Sequence, residues 1–141
     1  MVFRDTLNDA KAFLCWDVFP DLSVQLVEKT RTISFFLPPS SRSTAVIFLE
    51  KDARDFSGPL FLLFHEAGHC LQLREAAVNF GEKAFWEKLE HPTGPDRISF
   101  EKEGWSKGKV LFESFLERKN LPQTLISEYE AFGARSAESY R

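Results

Sequence analysis

Residues Phe61–Leu73 read FLLFHEAGHCLQL, and the organisation of the chain turns on them. Two of the three histidines, His65 and His69, stand here four residues apart, with Glu66 directly after the first. Leu60, Phe61, Leu63, Phe64, Ala67, Cys70, Leu71 and Leu73 surround a helix drawn over this stretch on every side. Such a helix belongs in the middle of a core, and it is expected from about Leu60 to Arg74. Just upstream, Ser57 or Gly58 can cap its start, and Pro59 suits a first turn.

Residues four apart on a helix share a face, so the two imidazoles can converge on one metal ion at about 2.0–2.1 Å. Glu66 is turned about 100° from His65. It cannot easily share the ion, but it can reach a water on the ion, which is where a general base is needed. His65-Glu66-Ala67-Gly68-His69 is thus an H-E-x-x-H pattern, with His65 and His69 as metal ligands and Glu66 as the catalytic base. The plain alternative is a pair of core histidines satisfied by hydrogen bonds, but on so apolar a helix both would need partners. Gly68 adds to the metal reading. A glycine inside a helix costs ~1 kcal/mol against alanine, which points to a close backbone approach there.

Working outward, Asp5 or Thr6 can cap a first helix carrying Leu7, Ala10, Phe13 and Leu14 on one face, broken at Phe19-Pro20-Asp21. Ser23–Lys29, Arg31–Leu37 and Thr44–Glu50 read as strands; the second alternates, with Ile33, Phe35 and Leu37 on one side, and the third is nearly all apolar. Pro38–Ser43 is a loop. Beyond the motif, Glu75–His91 continues as a second helical piece, Pro92–Asp96 is a firm break, and helices are expected over about Ser99–Lys119 and Gln123–Ser139. A helix, three strands and then helices give an α+β protein.

The chain has 141 residues, which suits one domain spanning 1–141 with a core of its own. Fifteen phenylalanines make that core phenylalanine-rich. A net charge of −3 provides no electrostatic footprint for nucleic acid or an anionic membrane. No apolar run approaches the ~20 residues of a membrane span. The opening MVFRDTLNDAKAFLC is too charged for a signal peptide, and a cytoplasmic location is expected. The two cysteines, Cys15 and Cys70, form no CxxC pair. Cys70 follows His69 but points elsewhere on the helix, and it reads as a small buried apolar residue.

LFHEAGHCL after a strand resembles the minimal gluzincin metallopeptidases, most closely the ImmA/IrrE type, in which HE[AL]GH is frequent. The resemblance covers about Ile33 to Arg118, and only the HEAGH segment is sharp. It implies a small zincin-like domain: a three-stranded sheet packed on an active-site helix, a strand bordering the cleft, Zn2+ as cofactor, and a glutamate ligand on a later helix. The chain departs from better-known members in two respects. Their later helix runs into an alanine- and leucine-rich stretch ending in Met-Pro, where this chain has SKGKVLFESFLERKNLP, and no helix-turn-helix module is read. A DNA-linked regulatory role is therefore not carried over.

A catalytic zinc site needs three protein ligands and one open position. His91, the third histidine, sits beside Pro92 in a loop; Glu75 occupies the place where a metzincin would have its third histidine. The helix over Ser99–Lys119 offers Glu101 and Glu103. Its apolar stripe is Trp105, Gly108, Phe112, Phe115 and Leu116; Glu101 falls inside it and Glu103 on the outer face. A carboxylate centred on a buried stripe is costly unless paired or bound to metal, which favours Glu101. The resemblance divides on this point: an aromatic four residues past the ligand fits Glu101–Trp105, while a small residue directly after it fits Glu103-Gly104. Glu130 remains a further candidate, and a solvated helix charge is the ordinary fate of each. Tyr129, Tyr140, Arg135 and His91 are candidate oxyanion donors, with Tyr129 and Tyr140 better suited to packing on the last helix.

The leading function is a zinc metallopeptidase acting on a peptide or protein, with Thr44–Glu50 available for edge pairing with substrate. Two alternatives stand beside it: a catalytically silent zincin-like module that recognises a protein partner, and a metal-free structural helix in a small interaction protein. A retained Glu66 argues against the silent module, which has no use for a base.

Overall fold

The computed structural model describes residues 1–37, 43–90 and 94–141. It is an α+β protein with one three-stranded sheet and five α-helices among the described residues. Its residues group into two compact units, Met1–Glu66 and Ala67–Arg141, and the division falls inside one continuous helix.

The first unit opens with α1, Arg4–Ala12. The helix begins at Arg4 with Phe3 at the cap position and no side-chain cap, so neither Asp5 nor Thr6 serves as the start signal. Leu7 and Ala10 are buried on its inner face. Phe13 and Leu14 lie beyond α1 in a π-helical segment, Phe13–Val18, closed by the Phe19 N–H on the Leu14 carbonyl at 2.7 Å. The wider turn lets Phe13, Leu14 and Phe19 all be buried around one corner. The break at Pro20–Asp21 falls where the sequence puts it.

Strands β1 (Leu22–Lys29), β2 (Ser34–Leu37) and β3 (Ser43–Glu50) form a sheet in the order β1-β3-β2. β3 is parallel to β1 (Leu22 opposite Ser43) and antiparallel to β2 (Ser34 opposite Ile47). The near-continuous apolar strand is therefore central, hydrogen-bonded on both sides, and not available for edge pairing with a peptide. Its period is regular: Ala45, Ile47 and Leu49 are buried, while Val46 and Phe48 on the other face are half-buried. In β2 the inward residue is Phe36. Phe35 and Leu37, on the side carrying the expected apolar alternation, are 43% exposed. Phe35 covers Phe48 edge-on at 5.4 Å on that outer face, and this outer-face pairing is what the alternation reports.

α2 runs Ser57–Asn79. Asp55 prepares its start: its Oδ1 accepts the N–H groups of Val2 (3.0 Å) and Ser57 (3.1 Å), and its Oδ2 accepts the Ser57 hydroxyl. The cap thus comes from Asp55 rather than from Ser57 or Gly58, and Pro59 sits in the first turn. The helix continues beyond Arg74 to Asn79 and stops at Gly81, whose φ of +89° is the left-handed conformation that ends helices.

In the second unit α3 spans Glu82–Glu90, α4 Pro95–Arg118 and α5 Leu125–Glu138. α4 begins four residues earlier than expected, because Pro95 is its first residue and not part of a break; proline's fixed φ suits that position. The stripe of Trp105, Gly108, Phe112, Phe115 and Leu116 is buried as expected, and Phe100 joins it. α5 buries Tyr129, Gly133 and Ala137, and the Trp105 ring lies against the bare backbone of Gly133. No helix among the described residues is long and apolar enough to cross a membrane.

Candidate metal centre

Both histidines of the motif are buried on α2 one turn apart, His65 at 4% and His69 at 1% exposure. Glu101, on the inward stripe of α4, is 2% exposed. One ligand atom from each of His65, His69 and Glu101 lies within 4.8 Å of the other two. Among the described residues these three form the group with the chemistry to hold a metal ion. Glu103 is exposed and outside it. Glu130 is also outside, paired with Lys109 at 3.2 Å on the surface, and Glu75 is paired with Lys107. Cys70 is buried and Cys15 half-buried, neither is in a disulfide, and neither joins the group. His91 lies outside the described residues.

Backbone proximity explains how Glu101 reaches the motif helix. A Cβ placed on Gly68 would stand 1.9 Å from the Gly104 carbonyl oxygen and 2.8 Å from the Gly108 nitrogen. The absence of a side chain at Gly68 lets α4 lie directly on the motif turn, as its cost in helix propensity implied. Glu101 is one turn before Gly104 and Trp105, and the same approach delivers its carboxylate to His69: Oε2 stands 2.7 Å from His69 Nε2.

Each of these two groups is held from behind. Gln72 Oε1 is 2.6 Å from His69 Nδ1, and the ring stacks on Phe100 at 5.0 Å with Phe85 at its edge. Arg97, one turn before Glu101, donates to Glu101 Oε1 through Nε (3.3 Å) and an Nη (3.0 Å). Its other Nη donates to the Leu89 carbonyl, and its guanidinium lies 4.4 Å over the Tyr140 ring. A buried carboxylate without such a partner would be very costly; here a guanidinium meets one oxygen and an imidazole the other. Gln72 and Arg97 belong to no motif in the sequence. Their signal was spacing alone, three residues after His69 and four before Glu101.

The geometry suits a metal ion. Two imidazoles and one carboxylate, all buried, are a donor set that could hold a metal ion. Across a tetrahedral ion with ~2.1 Å bonds, two ligand atoms stand about 3.4 Å apart, so the His69–Glu101 pair must open by about 0.7 Å to seat one.

Glu66 is 4% exposed, and its Oε1 is 3.8 Å from His65 Nε2. Ser34 of β2 donates its hydroxyl to the same oxygen at 3.2 Å. The Glu66 carboxylate therefore stands next to one of the candidate ligands, oriented by a strand residue.

Tyr129 on α5 and Tyr140 just beyond its end behave as structural groups. Burial pushes the Tyr129 phenol well above its ordinary range, and its hydroxyl donates to the Trp105 carbonyl at 2.7 Å. Tyr140 stacks with Arg97, and Arg135 lies 6.0 Å over Phe132.

No family model, curated protein or solved structure matches this chain.

Proposed function

We propose that this protein is a zinc-dependent metallopeptidase of the minimal gluzincin kind, similar to the ImmA/IrrE type. The observation that carries the reading is the buried His65–His69–Glu101 group with the Glu66 carboxylate 3.8 Å from His65. Zinc bound there would supply Lewis acidity toward a scissile carbonyl and lower the pKa of a water. Glu66 accepts the proton of the attacking water and passes it to the departing amide nitrogen, and Ser34 holds Glu66 Oε1 during this transfer. A peptide in extended form adds to the sheet at β2, an edge strand whose Ser34 touches the base. Cys15 and Cys70, neither of them in a disulfide, suit a reducing compartment such as the cytoplasm.

Two measurements on the purified chain test this reading. Metal analysis is expected to find about one zinc per chain. Glu66→Gln is expected to keep that zinc and lose cleavage of an unfolded protein by roughly 10²–10⁴-fold. Zinc binding without cleavage in the wild type would leave the silent binding module as the better reading. Equal cleavage by Glu66→Gln and wild type would remove Glu66 as the base.

A further inference from the structure

We infer that Gln72 is a positioning residue for the metal centre: it sets which nitrogen of His69 faces an ion. The inference rests on the metal-binding part of the proposed function and goes beyond it, since nothing in the H-E-x-x-H pattern assigns a role three residues past the second histidine.

The orientation of the Gln72 amide is decided by its other contacts. Its Nε2 donates to the Phe100 carbonyl at 3.0 Å and to Glu103 Oε1 at 3.2 Å. A backbone carbonyl and a carboxylate are both acceptors, so the NH2 must face them. Oε1 then has to point the other way, at His69 Nδ1, 2.6 Å off. An amide oxygen only accepts, so Nδ1 carries the hydrogen. That leaves Nε2, on the opposite side of the ring and 2.7 Å from Glu101 Oε2, as the nitrogen that would meet an ion. Phe100 contributes twice, through the carbonyl that holds Gln72 and the ring that stacks on His69. Gln72 is itself 5% exposed, so this relay is not interchanged with water. Outer partners of this kind fix ligand tautomer and ring orientation in metal sites.

Gln72 also explains why Glu103, the rival candidate ligand, is useful where it stands. Its carboxylate faces the amide and not the metal group, acting two bonds removed from His69.

Metal-stripped full-length chain is titrated with Zn2+ against a chromophoric chelator, for wild type, Gln72→Leu, and the double variant Gln72→Glu with Glu103→Gln. The double variant keeps an acceptor toward His69 and reverses the donor and acceptor at the Gln72–Glu103 contact. Gln72→Leu is expected to bind zinc about 10–100-fold more weakly, with the double variant recovering most of the loss. Nitrogen-detected NMR of the zinc-loaded wild type is expected to show His69 protonated at Nδ1, a signature that simple loss of packing would not alter. Zinc affinity in Gln72→Leu within twofold of wild type, or His69 bound through Nδ1, would overturn the inference, as would a wild type that takes up no zinc. Absence of peptidase activity with these affinities intact would count against the proposed function alone.

Discussion

Gly68 and Gly104 are pressed together so closely that a methyl group on Gly68 would stand 1.9 Å from the Gly104 carbonyl oxygen. The obstacle is backbone and cannot swing aside. Gly68→Ala gains ~1 kcal/mol in helix propensity and loses more by forcing α2 and α4 apart, with overpacking costing typically 1–3 kcal/mol or more. The expected net result is a loss of about 2 kcal/mol in urea unfolding, together with weaker zinc binding, because Glu101 moves with α4. A variant as stable as wild type would show that the two backbones do not meet in this way.

Glu101 and Glu103 differ by two residues and by their whole environment: one is buried against His69, the other is exposed beside Gln72. Glu101→Gln is expected to weaken zinc binding by at least about a hundredfold, beyond the loss typical of an outer partner. Glu103→Gln keeps an acceptor toward Gln72 and should stay within a few-fold of wild type. Chelator competition on both variants decides the matter, and a reversed order would assign the third ligand to Glu103.

Arg97 neutralises the buried Glu101 carboxylate in the absence of an ion. Its side chain is 11% exposed and that of Glu101 is 2% exposed, so breaking the pair strands a charge in a dry place. Arg97→Met should destabilise the metal-free chain by about 3 kcal/mol. Saturating zinc should restore more stability to this variant than it adds to wild type, since the ion replaces a missing positive charge. Thermal melts with and without zinc read both effects; an equal shift in the two proteins would mean that Arg97 does not act through Glu101.

Asp55 makes the start of α2 sensitive to acid. The Val2 N–H, and then the Ser57 hydroxyl and N–H, hold its carboxyl below the ordinary carboxylate range. Because the folded pKa lies below the unfolded one, the stabilisation is present above the unfolded value near 3.9 and fades as pH falls through the folded one. Asp55→Asn is expected to melt lower than wild type by about 2–3 °C at pH 7, with the gap closing toward pH 2–3. A gap that stays constant across this range would remove the carboxylate charge as the cause.

What could be read from the chain alone was whatever helical geometry makes local. His65 and His69 share a face because backbone hydrogen bonds set 3.6 residues per turn, and no distant residue is needed for that. Glu101 could be picked over Glu103 for a related reason: one turn from Trp105 it falls on the apolar stripe, and burying an unpartnered carboxylate there is costly. The caps were less legible. Asp55 lies two residues before α2, and Pro95 reads equally as a break or as a helix start until the helix is seen.

Only the tertiary structure decided which partners complete the site. Gln72 meets Phe100 and Glu103, and Gly68 meets Gly104, through contacts bridging 28 to 36 residues of chain. No periodicity encodes such pairings; they follow from how closely α2 and α4 pack. The strand order has the same origin. The apolar run Thr44–Glu50 marked β3 as a nearly all-apolar strand, but its place between β1 and β2 depends on inter-strand hydrogen bonds, to which side-chain pattern is blind.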